Sequence, residues 1–412
     1  MSDNETADLR PTLNLIEIGV IVAGPLDLID SQAAKLAVEQ TDTRLSELFP
    51  EFHFDFFEVK RPELMGSNGS DSGRIEPSLL LQQAVETRDF RRWDFAFVLT
   101  AAELVGNYSP YCFAALSRPL DAAIISMSLI DPLALGIEVN REERIERIAR
   151  RLSRLMLHSL GHLSGLPKSD HPNDLLYHPP NAQALDLMAG MDPESVQRQQ
   201  AALAEIADQR LEEGAGRRMT YPIFILRAAW INRQEIKRAV WAARPWQFPK
   251  RLSRLTIASY SALAILLMTA EAWDLALAQG TRQLGVLLVM TLLSTTIYVI
   301  VRQQLLVRRG RRPSEQSVVT SIAALAIVFF GMATTWMALF GVGLLLAHLL
   351  FPSDLVASWA ASSVHDARQI NGLDRPVMAF FAASLSLLIG ALGASFESQH
   401  YFRHIIFVDE EI

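Results

Sequence analysis

The sequence predicts an α/β domain followed by an all-α transmembrane domain of about four helices. Three observations carry this prediction. Up to about residue 163, short apolar or alternating runs take turns with longer stretches of helical period, the pattern of strands and helices in layers. After residue 255 come four apolar runs long enough to cross a bilayer. Charge is also partitioned. Lys plus Arg against Asp plus Glu stands at 19 to 34 over residues 1–216, a net of −15. Over 217–254 the ratio is 10 to 1, a net of +9, and over 255–412 it is 9 to 10. These blocks set the expected segments: an α/β domain over 1–216, a basic amphipathic juxtamembrane helix over 217–254, and a transmembrane helical domain with a cytosolic tail over 255–412.

Residues 13–23, LNLIEIGVIVA, alternate and then run apolar, as a core strand does. A helical pattern follows over Leu28–Leu48, then a second strand at His53–Val59 and a flexible loop at Gly66–Gly73. Pro77–Thr87 reads as helix, Trp93–Thr100 and Ala122–Ser128 as strands. From about Glu142 the apolar residues Ile145, Ile148, Leu152, Leu155 and Met156 keep a helical period for several turns. Pro193–Gly214 is a polar helix. The opening MSDNETADLR has neither a positive n-region nor an apolar core, so no cleavable signal peptide is expected. Cys112 is the only cysteine, which excludes an intrachain disulfide and a cysteine zinc knuckle.

Tyr221–Trp246 interleaves apolar residues and Trp with Arg and Lys. Such a helix suits a membrane interface, with Trp230, Trp241 and Trp246 at headgroup depth and Arg227, Arg233, Lys237 and Arg238 against anionic phosphates. A basic belt beside apolar spans points to lipid, not to nucleic acid. The expected spans are Thr256–Leu277, Gly285–Val301, Val318 to about Phe340, and Val377–Ala394. Lys250, Arg251 and Arg254 precede the first, and Arg302, Arg308, Arg309, Arg311 and Arg312 follow the second. Only Arg282, Arg368 and Arg375 lie in the opposite loops. The positive-inside rule therefore places four spans in an inner or plasma membrane, with the amino-terminal domain and the carboxy-terminus cytosolic. Val318–Phe351 reads either as one long span or as two short helices broken near Gly341 and Gly343. Glu271 and Asp274 are expected at the outer interface beside Trp273, and the closing FVDEEI as an exposed acidic tail.

The chemistry-bearing stretch is His158-Ser-Leu-Gly-His162-Leu-Ser-Gly165. Two His at i and i+4 share a helix face and can reach one metal. In zinc peptidases a Glu directly after the first His serves as general base; here that position is Ser159, an alcohol and a poor base. A catalytic zinc needs three protein ligands. The residues within reach for the third are His171, Asp170, Asp174 and His178, with His171 the best placed if the loop bulges. Asp170 or Asp174 could also supply a carboxylate base. Met188 and Met191 could floor a metal, although a Met beside a turn is usually packing.

The strand order, the DFAFVLT strand, the IISMSLID stretch and the long helix ending in HxxGHxxGL resemble the archaemetzincin metallopeptidases, over about residues 12–190. Their pattern is HExGHxxGLxHCxxxxCxM. Laid on it without gaps, its two helix His fall on His158 and His162 and its glycines on Gly161 and Gly165. The Glu becomes Ser159, the third His Lys168, the two Cys Ser169 and Asp174, and the Met Leu176. The resemblance implies a metzincin-like fold, zinc and peptide cleavage. The replaced positions imply a degenerate site, with Lys168 putting a cation where a ligand belongs. The expected function is thus a membrane-tethered binding or regulatory module with a peptide or protein ligand in the cleft. The alternative is an active zinc metallopeptidase acting on cytosolic or membrane-proximal peptides. A channel or transporter is a third possibility, for which the spans carry few polar residues.

Overall fold

The structure, a computed structural model, describes residues 14–62, 74–107, 112–207, 221–303, 305, 315–360, 374–393 and 399–412. The expected loop at Gly66–Gly73, the end of the polar helix beyond Ala207, and Arg308, Arg309, Arg311, Arg312 and Arg368 lie outside them. The chain forms two compact units: residues 1–220 with Asp409–Ile412, and Tyr221–Val408.

In the first unit β1 (Asn14–Ala23), β2 (Phe52–Arg61), β4 (Phe95–Thr100), β6 (Ala114–Ser117), β7 (Ala122–Ser126) and β8 (Glu410–Glu411) form one sheet. Its order is β2-β1-β4-β7-β6-β8. The first four strands in that order pair parallel, and β6 runs antiparallel to both β7 and β8. Between them β3 (Arg74–Ile75) and β5 (Glu103–Leu104) make a small parallel pair. The helices are α1 (Leu28–Leu48), α2 (Pro77–Arg91), α3 (Arg141–Leu163), α4 (Ala182–Leu185) and α5 (Pro193–Ile206). Side chains alternate across a strand. Ile16, Ile18 and Val20 of β1 and Phe95, Phe97 and Leu99 of β4 accordingly join one core with α1 and α3. Helix α2 packs on β4 and β7. The strands and helices expected from the pattern up to α3 are all present, with shifted ends; β3, β5, β6 and β8 are additions.

Helix α3 starts where Asn140 caps it, its side chain accepting from the Glu143 N–H at 2.8 Å. Acidic Glu142 and Glu143 sit at the favourable end of the helix dipole. Its buried face (Ile148, Leu152, Leu155, Met156, Leu160) drives it onto the sheet and α1, where the Thr41 hydroxyl donates to Ser153 at 3.0 Å. Arg151 is wholly buried on this helix and holds Asp186 through two bonds, at 2.9 and 2.6 Å. Met188 is core, fully buried, which is the packing role.

The second unit is all helical among the described residues up to Phe407. Three helices are long and apolar enough to cross a membrane: Thr281–Arg302, Val318–Leu350 and Asp374–Gly393. Val318–Phe351 is one helix, running unbroken over Glu315–Leu350 past Gly341 and Gly343. The first expected span is different: Ser253–Leu267 and Ala270–Leu277 are two helices bent by 85°. The Trp273 indole N–H donates to the Leu267 carbonyl at 2.8 Å, satisfying a group the break leaves open. Trp273 is fully buried there against Phe351 and Trp359. The expected helix over Tyr221–Trp246 is also divided, into Tyr221–Ile231 and Arg233–Ala243. Trp230 and Trp241 are 72% and 74% exposed on it. Arg233 lies over the Trp230 ring at 5.2 Å, and Trp241 packs against Trp246. Trp336, stacked on Phe340, donates to Ser384 at 3.1 Å and so ties the long helix to Asp374–Gly393.

Candidate functional site

The last two turns of α3 carry His158 and His162. Gly165 then adopts φ +91°, a conformation that side chains resist, and the Leu166 N–H turns back to the Gly161 carbonyl at 3.1 Å. The chain beyond crosses over α3 closely enough that a Cβ on Gly161 would stand 2.6 Å from Leu176 Cδ2. This crossing sets the first histidine. His158 Nδ1 lies 2.8 Å from the Leu175 carbonyl, so that nitrogen carries the proton and Nε2 keeps the lone pair. Burial pushes the His158 pKa down to about 4, leaving a neutral imidazole.

His162 is held differently. Its Nε2 is 3.2 Å from Asp409 Oδ2, and its Nδ1 is 2.5 Å from Glu410 Oε2. Two carboxylates on two ring nitrogens are both satisfied only by the imidazolium. Burial opposes that charge, but Asp409 and then Glu410 outweigh it and raise the His162 pKa above the ordinary value. Arg118, just after β6, closes the helix end: it donates to the His162 carbonyl at 2.8 Å and to Leu166 at 3.0 Å. Its Nε is 3.9 Å from Asp409. Lys168 reaches Glu410 Oε1 at 2.6 Å, and His178 Nδ1 lies 3.4 Å from the same oxygen. Burial would raise the Glu410 carboxyl, but His162 and His178 hold it well below the carboxylate range.

Sequence reasoning found the His pair, Lys168 and the neighbourhood of His178. It missed Arg118, Asp409 and Glu410. The acidic tail is not exposed: Glu410 and Glu411 are 4% and 5% accessible, as β8 against β6. No local signal marks a two-residue edge strand whose partner, β6, lies far back in the sequence. Ser159 is fully buried and donates to the Leu155 carbonyl at 2.6 Å, one turn back along its own helix. Asp170 and His171 are exposed on the turn after Pro167. Asp174 accepts from the Leu176 N–H in the same loop.

A catalytic zinc takes three donors with free lone pairs and one water. His158 offers Nε2, whereas both nitrogens of His162 are engaged by carboxylates. Among the described residues no three His, Cys, Asp or Glu side chains form a group that could hold a metal ion. In this arrangement the residues do not fit a zinc ion. What they fit is a carboxylate: Glu410 is surrounded by Lys168, His162 and His178.

Cys112 stands just before β6, 1% exposed; burial, then the Glu411 charge, raise its thiol pKa well above the ordinary value. A maleimide should therefore leave the native protein unlabelled and modify it fully in denaturant. Rapid native labelling would contradict this burial.

No protein-family model matches the chain, nor does any curated protein. Among solved structures the chain is similar to archaemetzincin from Methanopyrus kandleri, at 18% identity and TM-score 0.37, over 48% of this chain and 99% of that one. It is similar to archaemetzincin from Archaeoglobus fulgidus, complexed with malonate, at 12% identity and TM-score 0.33, over 44% and 99%. A zinc-dependent peptidase from Methanocorpusculum labreanum follows at 15% identity and TM-score 0.34, over 44% and 99%.

Proposed function

We propose that this protein is a membrane-anchored, non-catalytic peptide-binding module built on a peptidase-like α/β domain. One observation carries the reading: the place where a zinc peptidase keeps metal and water is filled by a carboxylate on an added strand, held by Lys168, His162 and His178. Ser159, turned onto its own helix, leaves no base at the expected position.

The membrane part of the reading rests on surface chemistry. On Thr281–Arg302 the residues Val286, Val289, Met290, Leu293, Ile297 and Val301 are all exposed, at spacings that form one continuous stripe. An apolar stripe that long is costly in water and ordinary in lipid. Parity adds to it. Residues 14–207 and 409–412 belong to one sheet domain, which a bilayer cannot divide, so the chain between crosses an even number of times. Three unbroken helices and the bent pair taken as one crossing make four. The domain and both chain ends are then cytosolic by the positive-inside rule, with Trp230, Trp241, Trp246, Arg233, Lys237 and Arg238 against anionic headgroups of the inner or plasma membrane.

Elemental analysis of the purified chain, alongside incubation with a peptide library, tests the reading. Substoichiometric zinc and intact peptides are expected. One zinc per chain with cleavage lost in His158→Ala would establish the second reading, an active zinc peptidase. For that reading the favouring observation is that His178, and not His171 or Asp170, stands with His162 at Glu410.

A further inference from the structure

We infer that the outer side of β6, together with Arg118, His162, Lys168 and His178, is a binding site for an extended acidic peptide of pattern Asp-Glu-Glu-aliphatic, and that Asp409–Ile412 is its occupant in cis. The inference deepens the reading of the cleft as a binding module and rests on it.

The backbone supplies the mode. The Asp409 N–H donates to Leu116 at 3.1 Å, the Ile412 N–H donates to Ala114 at 2.8 Å, and the Ile412 carbonyl accepts from Phe113. This is strand addition to a sheet edge, in which the main chain gives attachment and alternate side chains give selectivity. Each side chain has its own receptor. Asp409 faces His162 and Arg118, and Glu410 faces His162, Lys168 and His178. Glu411 takes the Asn107 N–H on both oxygens, at 2.8 and 3.0 Å. Ile412 is 1% exposed in the main core.

Buried carboxylates are costly unless paired, so a tail that merely rested on the surface would keep them in water. The specificity follows. Gln in place of Glu410 loses the charge that the cations face, and Lys there is repelled. The occupant is also exchangeable. A net hydrogen bond contributes about 1 kcal/mol, and β8 has few of them. Its residence depends on being tethered, through the helix Gln399–Phe407 that precedes it in the chain, at an effective concentration near the millimolar range. A partner carrying the same acidic pattern therefore competes with the tail, and whatever shifts that helix changes the competition.

The test uses the full chain in lipid nanodiscs, with EDTA present, and a fluorescent peptide Phe-Val-Asp-Glu-Glu-Ile followed by anisotropy. Glu410→Lys places a cation among cations and releases the tail. The peptide should bind this variant at least about tenfold more tightly than the wild type, where the tethered tail competes. Adding Lys168→Gln should remove the gain, and a peptide with Gln for both Glu should not bind. Hydrogen exchange should show Asp409 and Ile412 losing protection while β1 keeps it. Equal affinity for wild type and Glu410→Lys, or equal binding of the Gln peptide, overturns the inference. If Glu410→Lys unfolds β1, the charge swap Lys168→Glu with Glu410→Lys decides. Restored protection at Asp409 and Ile412 supports the site, and none overturns it. The zinc and cleavage measurements test the non-catalytic reading separately, so the two can fail independently.

Discussion

Alanine in place of Arg151 should cost the α/β domain about 3 kcal/mol and release the helix that carries His158 and His162. Arg151 has no exposed surface. It grips Asp186 at 2.9 and 2.6 Å and donates to the Ile130 carbonyl at 2.8 Å. Truncation leaves a cavity, an orphaned buried carbonyl and a carboxylate without its cation. Asp186 keeps a side-chain exposure of 34%, and water offsets part of its loss, which sets the figure at the low end of the range for broken buried pairs. Lysine should recover only part, since it replaces a planar fork with a point charge. Guanidinium unfolding followed by hydrogen exchange on α3 measures this. A loss under about 1 kcal/mol would show that the pair is not a fixed element of the domain.

Gly390→Ala should destabilise the helical unit by about 1–3 kcal/mol. A Cβ there would meet Ser259 Oγ at 1.7 Å and Cβ at 2.9 Å, with the Leu255 carbonyl oxygen at 3.1 Å. The hydroxyl can rotate away, but the backbone carbonyl cannot, so Ser253–Leu267 and Asp374–Gly393 must separate. Small residues are what allow two apolar helices to approach this closely. Combining Gly390→Ala with Ser259→Gly removes the side-chain part of the clash and should return roughly half of the loss, a coupling within the usual range for touching residues. SDS titration of the four proteins in detergent reads it. Strict additivity of the two substitutions would mean that these helices do not pack through Gly390.

The elements legible in the sequence were those whose signal is local. α1 and α3 announce themselves through long apolar periods, β1 and β4 through apolar runs, and the His158–Gly165 stretch through spacing alone. The break within the first expected span was not legible because composition is blind to direction. Ser253–Leu277 is apolar enough throughout, yet the chain turns by 85° where Trp273 can cap Leu267. The candidate site was half legible. His158 and His162 were found, and so was the oddity of Lys168. The acid that explains Lys168 was read as solvated tail, because its burial depends on an edge strand with a distant partner.

By itself, the sequence determined that an α/β domain is joined to an apolar helical region, and that Ser159 follows the first of two histidines set one helical turn apart. Periodicity, charge blocks and motif spacing are written along the chain and need no folding to be seen. Only the tertiary structure decided which groups surround the two histidines. The pairing of Glu410 with Lys168, His162 and His178 joins residues far apart in sequence. Whether such a carboxylate is hydrated or buried is settled by the cations that folding brings to it.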